Sequence, residues 1–265
     1  MITEIGSDME IISLTPENIG DYGVCGYKDV KKHVELRKKI AWFEKYHPLG
    51  LTIKIVLSPT GGYQGMIEYL PGEHAHRPVD AQGYMFIHCV FVGFKKEFKG
   101  RGFASALIEE CVADAKAGGM SGVAVVTRKG PFMVDKKIFL KLGFEVVDSA
   151  PPDFELLVSK FNESAPNPQF KADMGKPLEK YREGLTVLRS VQCPYTEKNV
   201  NAILETAEKE FKLKTQLVDL KDAKAAQDCP CAFGAFCIVH EGEVISHHPI
   251  SNKRFENIMK KRLGI

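Results

Sequence analysis

The segment Val90–Ala106, VFVGFKKEFKGRGFASA, constrains this chain more than any other. An apolar, strand-like run meets Lys99-Gly100-Arg101-Gly102-Phe103-Ala104, and an amphipathic stretch follows up to Gly118-Gly119. Within that stretch Phe103, Leu107 and Cys111 recur at every fourth position, while Glu109, Glu110, Asp114 and Lys116 fall opposite. That is a half-buried helix. A glycine turn between a strand and a helix lets backbone N–H groups converge beside the positive end of the helix dipole. Arg101 and Lys99 add formal charge there. The unit reads as a cradle for a phosphorylated cofactor.

The flanking segments alternate strand and helix patterns. Strands are expected at Glu10–Leu14, Leu51–Leu57, Tyr63–Leu70, Tyr84–Phe94, Val123–Val126, Phe144–Val147 and Phe154–Val158. Helices are expected at Lys28–Tyr46 and at Met133–Leu142, the latter stopped by Gly143 at a natural C-terminal position. Ser58-Pro59-Thr60-Gly61-Gly62 suits a hairpin, and Pro71–Gln82 a polar loop. Asn162–Gly184, rich in proline and polar residues, reads as a linker, which makes residues 1–161 one domain and 185–265 another.

In the second part, Leu185–Val191 runs into Cys193-Pro194-Tyr195-Thr196. A helix with Val200, Ile203, Leu204, Ala207 and Phe211 on one face follows, then strand Thr215–Leu220 and Asp228-Cys229-Pro230-Cys231. Strands Ala235–Val239 and Glu243–Ser246 and a helix over residues 252–263 complete a βαβ-ββα order. Both parts are mixed α/β.

Several function classes recede. The net charge is +2 with no long basic run, which disfavours a nucleic-acid surface. The opening MITEIGSDME carries early acids and no apolar core, so it is not read as a secretory signal. No apolar run approaches the roughly 20 residues of a membrane span. Seven unevenly spaced cysteines fit reduced thiols better than a disulfide framework.

The strand–turn–helix unit, together with Lys141-Leu142-Gly143-Phe144, resembles the GNAT family of acetyl-CoA-dependent N-acetyltransferases, whose phosphate loop reads R/Q-x-x-G-x-G/A. Here Lys99, Gly102 and Ala104 stand at those positions, with lysine replacing the first residue. The resemblance covers about residues 8–161. It implies a mixed central sheet with flanking helices, and acetyl-CoA as donor. Its pantetheine arm would lie along Val92, Gly93 and Phe94, and its pyrophosphate on Gly100, Arg101, Gly102, Phe103 and Ala104. The acceptor would be a small-molecule or peptide amine, reached through about residues 19–47 and 71–82. The family's tyrosine acid falls at Phe139, which cannot donate a proton and packs beside the cofactor instead. His88 lies where some members carry a glutamate base. A strand histidine satisfied by hydrogen bonds is the alternative for it. Tyr63 or Tyr84 could supply a hydroxyl, and Lys136 and Lys137 could meet the CoA phosphates or merely be solvated.

The second part resembles the thioredoxin fold, with Cys-Pro-Tyr similar to glutaredoxin sites. Cys193 would then sit at a helix N-terminus, which favours a thiolate. Thr196 replaces the usual second cysteine, and Gly234 falls where a cis-proline is expected. Cys193, Cys229 and Cys231 are candidates for redox chemistry, for holding a soft metal ion, or for packing alone. The two parts together resemble the YoaP-like acetyltransferases, which implies a bacterial, cytoplasmic enzyme. The alternative is a thiol-redox, soft-metal or sensor protein whose first domain binds CoA. Glu73-His74-Ala75-His76 and His247-His248 are weak metal signals.

Overall fold

A computed structural model describes residues 9–58, 62–93, 98, 100–171, 174 and 178–265. Contacts divide the chain into two compact units. One comprises residues 1–75, 80–149 and 153–169. The other comprises 76–79, 150–152 and 170–265.

The first unit is built on a seven-stranded mixed sheet. Its strands are β1 (Glu10–Ser13), β2 (Thr52–Leu57), β3 (Tyr63–Pro71), β5 (Met85–Val92), β6 (Gly122–Thr127), β7 (Glu145–Ala150) and β8 (Phe154–Lys160), in the spatial order β1-β2-β3-β5-β6-β8-β7. The two-residue segment β4 (Val79–Asp80) precedes β5. The β5–β6 pair is parallel, and it demands a crossover. The helix α3 (Phe103–Ala117) supplies it. Phe103, Leu107, Ile108, Cys111 and Ala115 of α3 are buried against Ile67, Ile87, Val123 and Val125 of the sheet. Thus the i, i+4 stripe seen in the sequence is the buried face.

Helices α1 (Ile19–Tyr22), α2 (Val34–Tyr46) and α4 (Lys137–Lys141) complete the unit. Two helices start later than their patterns suggest. The Asp29 carboxylate accepts the backbone N–H groups of Lys31 (3.0 Å) and Lys32 (3.1 Å), so residues 30–32 form a turn and the helix starts after it. The Asp135 carboxylate likewise accepts the N–H of Lys137 at 2.9 Å. Upstream, Phe132 holds a left-handed φ of 65°. The strand expected at Phe144–Val147 is displaced to Glu145–Ala150.

In the second unit, β10 (Leu185–Arg189) lies between β11 (Thr215–Asp219) and β12 (Phe236–His240), with β13 (Glu243–Ser246) outside β12. The short segment β9 (Gln169–Phe170) precedes this sheet. β10 runs parallel to β11 and antiparallel to β12, and β12 runs antiparallel to β13. Helices α5 (Val200–Lys209), α6 (Ala223–Gln227) and α7 (Asn252–Leu263) flank the strands. Asp222 caps α6 and Ser251 caps α7 through their side-chain oxygens. Val200, Ile203 and Ala207 of α5 and Phe255 and Met259 of α7 are buried. Among the described residues, no helix is long and apolar enough to cross a membrane.

Candidate active site

The turn after β5 has the backbone that its glycines suggest. Gly100 and Gly102 hold φ values of 72° and 79°, a region that side chains rarely adopt. Gly102 occupies the N-cap of α3 and offers no side-chain cap, so the first N–H groups of the helix are left for another acceptor. Gly93 has a different role: a Cβ there would come within 2.5 Å of Phe98. Its N–H donates to the Gln64 carbonyl at 2.8 Å. Phe94 and Lys99, both expected to meet the cofactor, lie outside the described residues.

A groove of about 630 Å³ opens on this turn. Val92, Gly100, Arg101, Gly102, Phe103 and Ala104 line it on one side, with Lys137 and Lys141 of α4 opposite. Lys141 was not among the expected residues, although its four-residue spacing from Lys137 puts both on one helix face. Lys136 is engaged elsewhere, its Nζ 2.6 Å from the Glu155 carboxylate. The Arg101 guanidinium sits 5.1 Å from the centre of the Phe103 ring. The volume suits a mid-sized ligand, and the charge suits an anion.

Farther along β5 the sheet opens. The β5–β6 ladder runs only from Met85↔Val123 to Ile87↔Val125, while β5 stays paired with β3 as far as Gly65↔Val92. A narrow cleft of about 20 Å³ lies where the strands part, lined by His88, Cys89 and Val90 on one side and Val125, Val126 and Phe139 on the other. It has room for one small group. Phe139 is fully buried and meets Phe144 edge-on at 5.3 Å. Among the described residues no tyrosine lines the cleft, and the Tyr84 hydroxyl donates to the Pro166 carbonyl at 2.9 Å.

His88 sits at a β-bulge. Glu68 faces Cys89 and Tyr69 faces Ile87, so His88 is the extra residue. Its ring reaches Glu68, with Nδ1 3.2 Å from the carboxylate. The other Glu68 oxygen accepts from the Lys39 ammonium. All three residues are buried, and neither sequence spacing nor motif links them. Lys39 lies 4.0 Å from the centre of the Trp42 ring, and the His88 ring sits 6.1 Å from Trp42 and 5.6 Å from Phe86. Burial pushes the Glu68 carboxyl up, but the Lys39 charge and the His88 contact outweigh it and hold the group at about 2. This carboxylate faces the imidazole at Nδ1 in ion-pair range, and Nε2 is the ring's other proton-transfer atom.

The cysteines of the second unit separate into different settings. Cys193 does not start α5. It precedes a 3-10 turn at Pro194–Glu197, and α5 begins only at Val200, after Asn199 in a left-handed conformation. The expected helix-dipole support for a Cys193 thiolate is therefore lacking. Cys229 and Cys231 are buried within hydrogen-bonding reach of Cys237, which is buried too. Cys231 Sγ also lies 3.3 Å from His247 Nδ1. Sequence spacing gave no reason to include Cys237, and it marked His247 only with His248 as a weak metal signal, apart from the cysteines. Gly234, at φ 71°, packs so closely on residues 76 and 77 that a Cβ would come within 2.6 Å of the His76 carbonyl. Among the described residues, no group of three or more His, Cys, Asp or Glu is arranged to hold a metal ion.

A family model described as YoaP-like matches residues 215–257. The chain is 30% identical over 251 residues to YoaP of Bacillus subtilis (strain 168), named as an uncharacterized N-acetyltransferase; the match covers 94% of this chain and 97% of that protein. Among solved structures, yncA of Salmonella typhimurium, with acetyl-CoA, is similar at 16% identity and a TM-score of 0.46, covering 60% of this chain and 98% of its own. The PaiA N-acetyltransferase of Thermoplasma acidophilum, with coenzyme A, is similar at 16% identity and a TM-score of 0.40, covering 58% of this chain and 99% of its own.

Proposed function

Since the chain belongs to the YoaP-like N-acetyltransferase family, we propose that its first unit moves an acetyl group from acetyl-CoA to a small-molecule or peptide amine by direct attack. The observation that carries this reading is the continuity of two features along β5: an uncapped α3 N-terminus facing three cations, and a parted strand edge leading to His88.

In this reading the CoA pyrophosphate accepts hydrogen bonds from the α3 N-terminal amides. Arg101, Lys137 and Lys141 balance its charge. The pantetheine arm pairs with the backbone of β5 beyond Ile87, where the ladder to β6 has ended, and the thioester reaches the cleft beside His88. The amine attacks the thioester carbon, His88 takes a proton from it, and the tetrahedral intermediate collapses to amide and thiolate. Phe139 supplies no acid, and the step does not require a strong one. An ordinary thiol has a pKa near 8.5, so CoA leaves readily as thiolate close to neutral pH.

For the second unit we propose a thioredoxin-like fold. Its parallel β10–β11 pair joined through α5, followed by the β12–β13 hairpin and α7, supports this. The chain would thus combine a transferase domain with a cysteine-bearing module, acting as a cytoplasmic enzyme.

The test is an acetyl-CoA turnover screen against polyamines, aminoglycosides, amino acids and peptides, with CoA binding measured in parallel. Release of CoA with acetylation of an amine is expected. CoA binding without transfer to any amine class would sink the transferase reading and leave only a CoA-binding one.

A further inference from the structure

The buried cysteines of the second unit form a site that acetyl transfer does not use. Three thiols meet there: Cys229, Cys231 and Cys237, at 0%, 1% and 0% exposure. Cys237 lies within hydrogen-bonding reach of both neighbouring sulfurs, and its single S–H can be given to one of them at a time. The fourth member is His247, half-buried, with Nδ1 3.3 Å from the Cys231 sulfur. Structural cysteines are ordinarily inert because burial favours the thiol. Here burial has that effect on Cys231 too, but the Cys237 hydrogen bond and the His247 contacts overcome it and bring the group down to about 5. Cys237 moves the opposite way, held up by its bonds to Cys229 and Cys231. One sulfur is therefore set up as thiolate and its neighbour as thiol. Nucleophile and resolving group in thiol oxidation differ in the same sense.

We propose that Cys231 is a peroxide-reactive thiolate, paired with His247 and resolved by Cys237. The reaction balances with hydrogen peroxide as oxidant. Cys231 passes its proton to His247, its sulfur attacks one peroxide oxygen, the O–O bond breaks, and the departing hydroxide takes that proton back from His247 to leave as water. The Cys237 sulfur then attacks the sulfenic sulfur. The Cys231–Cys237 disulfide forms as the S–O bond breaks, and the oxygen leaves with the Cys237 proton as a second water. Burial selects the oxidant: peroxide is small enough to reach a sulfur that is 1% exposed, whereas a bulky disulfide such as oxidised glutathione is excluded. The site does not depend on acetyl transfer.

The experiment treats the full-length reduced protein with equimolar hydrogen peroxide, or with oxidised glutathione, and maps its cysteines by non-reducing peptide mass spectrometry. Peroxide is expected to give a Cys231–Cys237 disulfide, and glutathione disulfide no adduct at Cys231. In Cys237→Ser the reaction halts at a Cys231 sulfenic acid that dimedone traps. In His247→Gln, formation of the oxidised product slows about tenfold or more at neutral pH, because the thiolate fraction falls. Cys193→Ser leaves the disulfide unchanged. Oxidation at Cys193 or Cys25 ahead of Cys231, or a bridge that omits Cys237, overturns the proposal. The wild-type map alone decides between these outcomes, so a variant that fails to fold does not shelter it.

Discussion

The residue that organises the candidate site is Glu68, which holds an ammonium and an imidazole inside the sheet. Lys39 gives the pair its charge balance, and His88 gives it a chemical use. Removing the carboxylate leaves the Lys39 ammonium buried beside Trp42 with its main counter-charge gone. Glu68→Gln is therefore expected to cost about 3–5 kcal/mol, read as a fall in the denaturant midpoint. The acid dependence has a definite sign. The Glu68 carboxyl titrates at about 2 when folded against its ordinary 4.5, so the unfolded chain binds its proton first on acidification. This contribution is complete above pH 4.5 and is lost as pH falls toward 2. Denaturation curves across that window should decline more steeply for the wild type than for Glu68→Gln. At His88, the Gln variant is expected to lower kcat about a hundredfold while leaving the KM for acetyl-CoA nearly unchanged. An unaltered kcat would remove His88 from the proton path.

At the scale of elements, α3, α4 and β5 form the phosphate groove because each ends or opens in the same region. Alanine at both Lys137 and Lys141 is expected to raise the KM for acetyl-CoA about tenfold, from two charged contacts at roughly 0.7 kcal/mol each. Stability should hardly change, since both side chains are exposed. Gly100→Ala tests the turn itself: a Cβ there meets nothing within 4 Å, so only the left-handed backbone resists it, at about 1–2 kcal/mol. The strand–turn–helix order was legible because the glycines and the i, i+4 stripe are local signals. The starts of α2 and α4 were not, because the side chains of Asp29 and Asp135 compete for backbone N–H groups that the hydrophobic period had assigned to a helix. Cys193 shows the same limit. Cys-Pro-Tyr resembles a helix start, yet Pro194–Glu197 closes into a 3-10 turn and the helix waits for Val200.

Across the whole molecule, the chain does not finish one unit before contributing to the other. Residues 76–79 and 150–152 belong with the second unit although long stretches of the first surround them in sequence. Gly234 shows what this requires, since its backbone lies against residues 76 and 77 at a distance no side chain tolerates. Gly234→Ala is expected to lower stability by more than about 2 kcal/mol, combining left-handed strain with the collision. Gly264→Ala, also left-handed but with nothing within 4 Å, should cost only the strain, about 1 kcal/mol. Thermal denaturation of both variants separates the two contributions. A fragment starting at residue 170 is expected to melt below the same unit in the full chain, because it lacks residues 76–79. The amino-acid sequence by itself determined the alternation of strands and helices, the glycine turn and the class of ligand it suits, because those depend on neighbours a few residues apart. Only the tertiary structure decided that Glu68 joins Lys39 to His88, that Lys141 rather than Lys136 faces the groove, and that Cys231 meets Cys237 and His247. Those partners are distant in sequence, and it is sheet register and loop closure that bring their side chains within hydrogen-bonding distance.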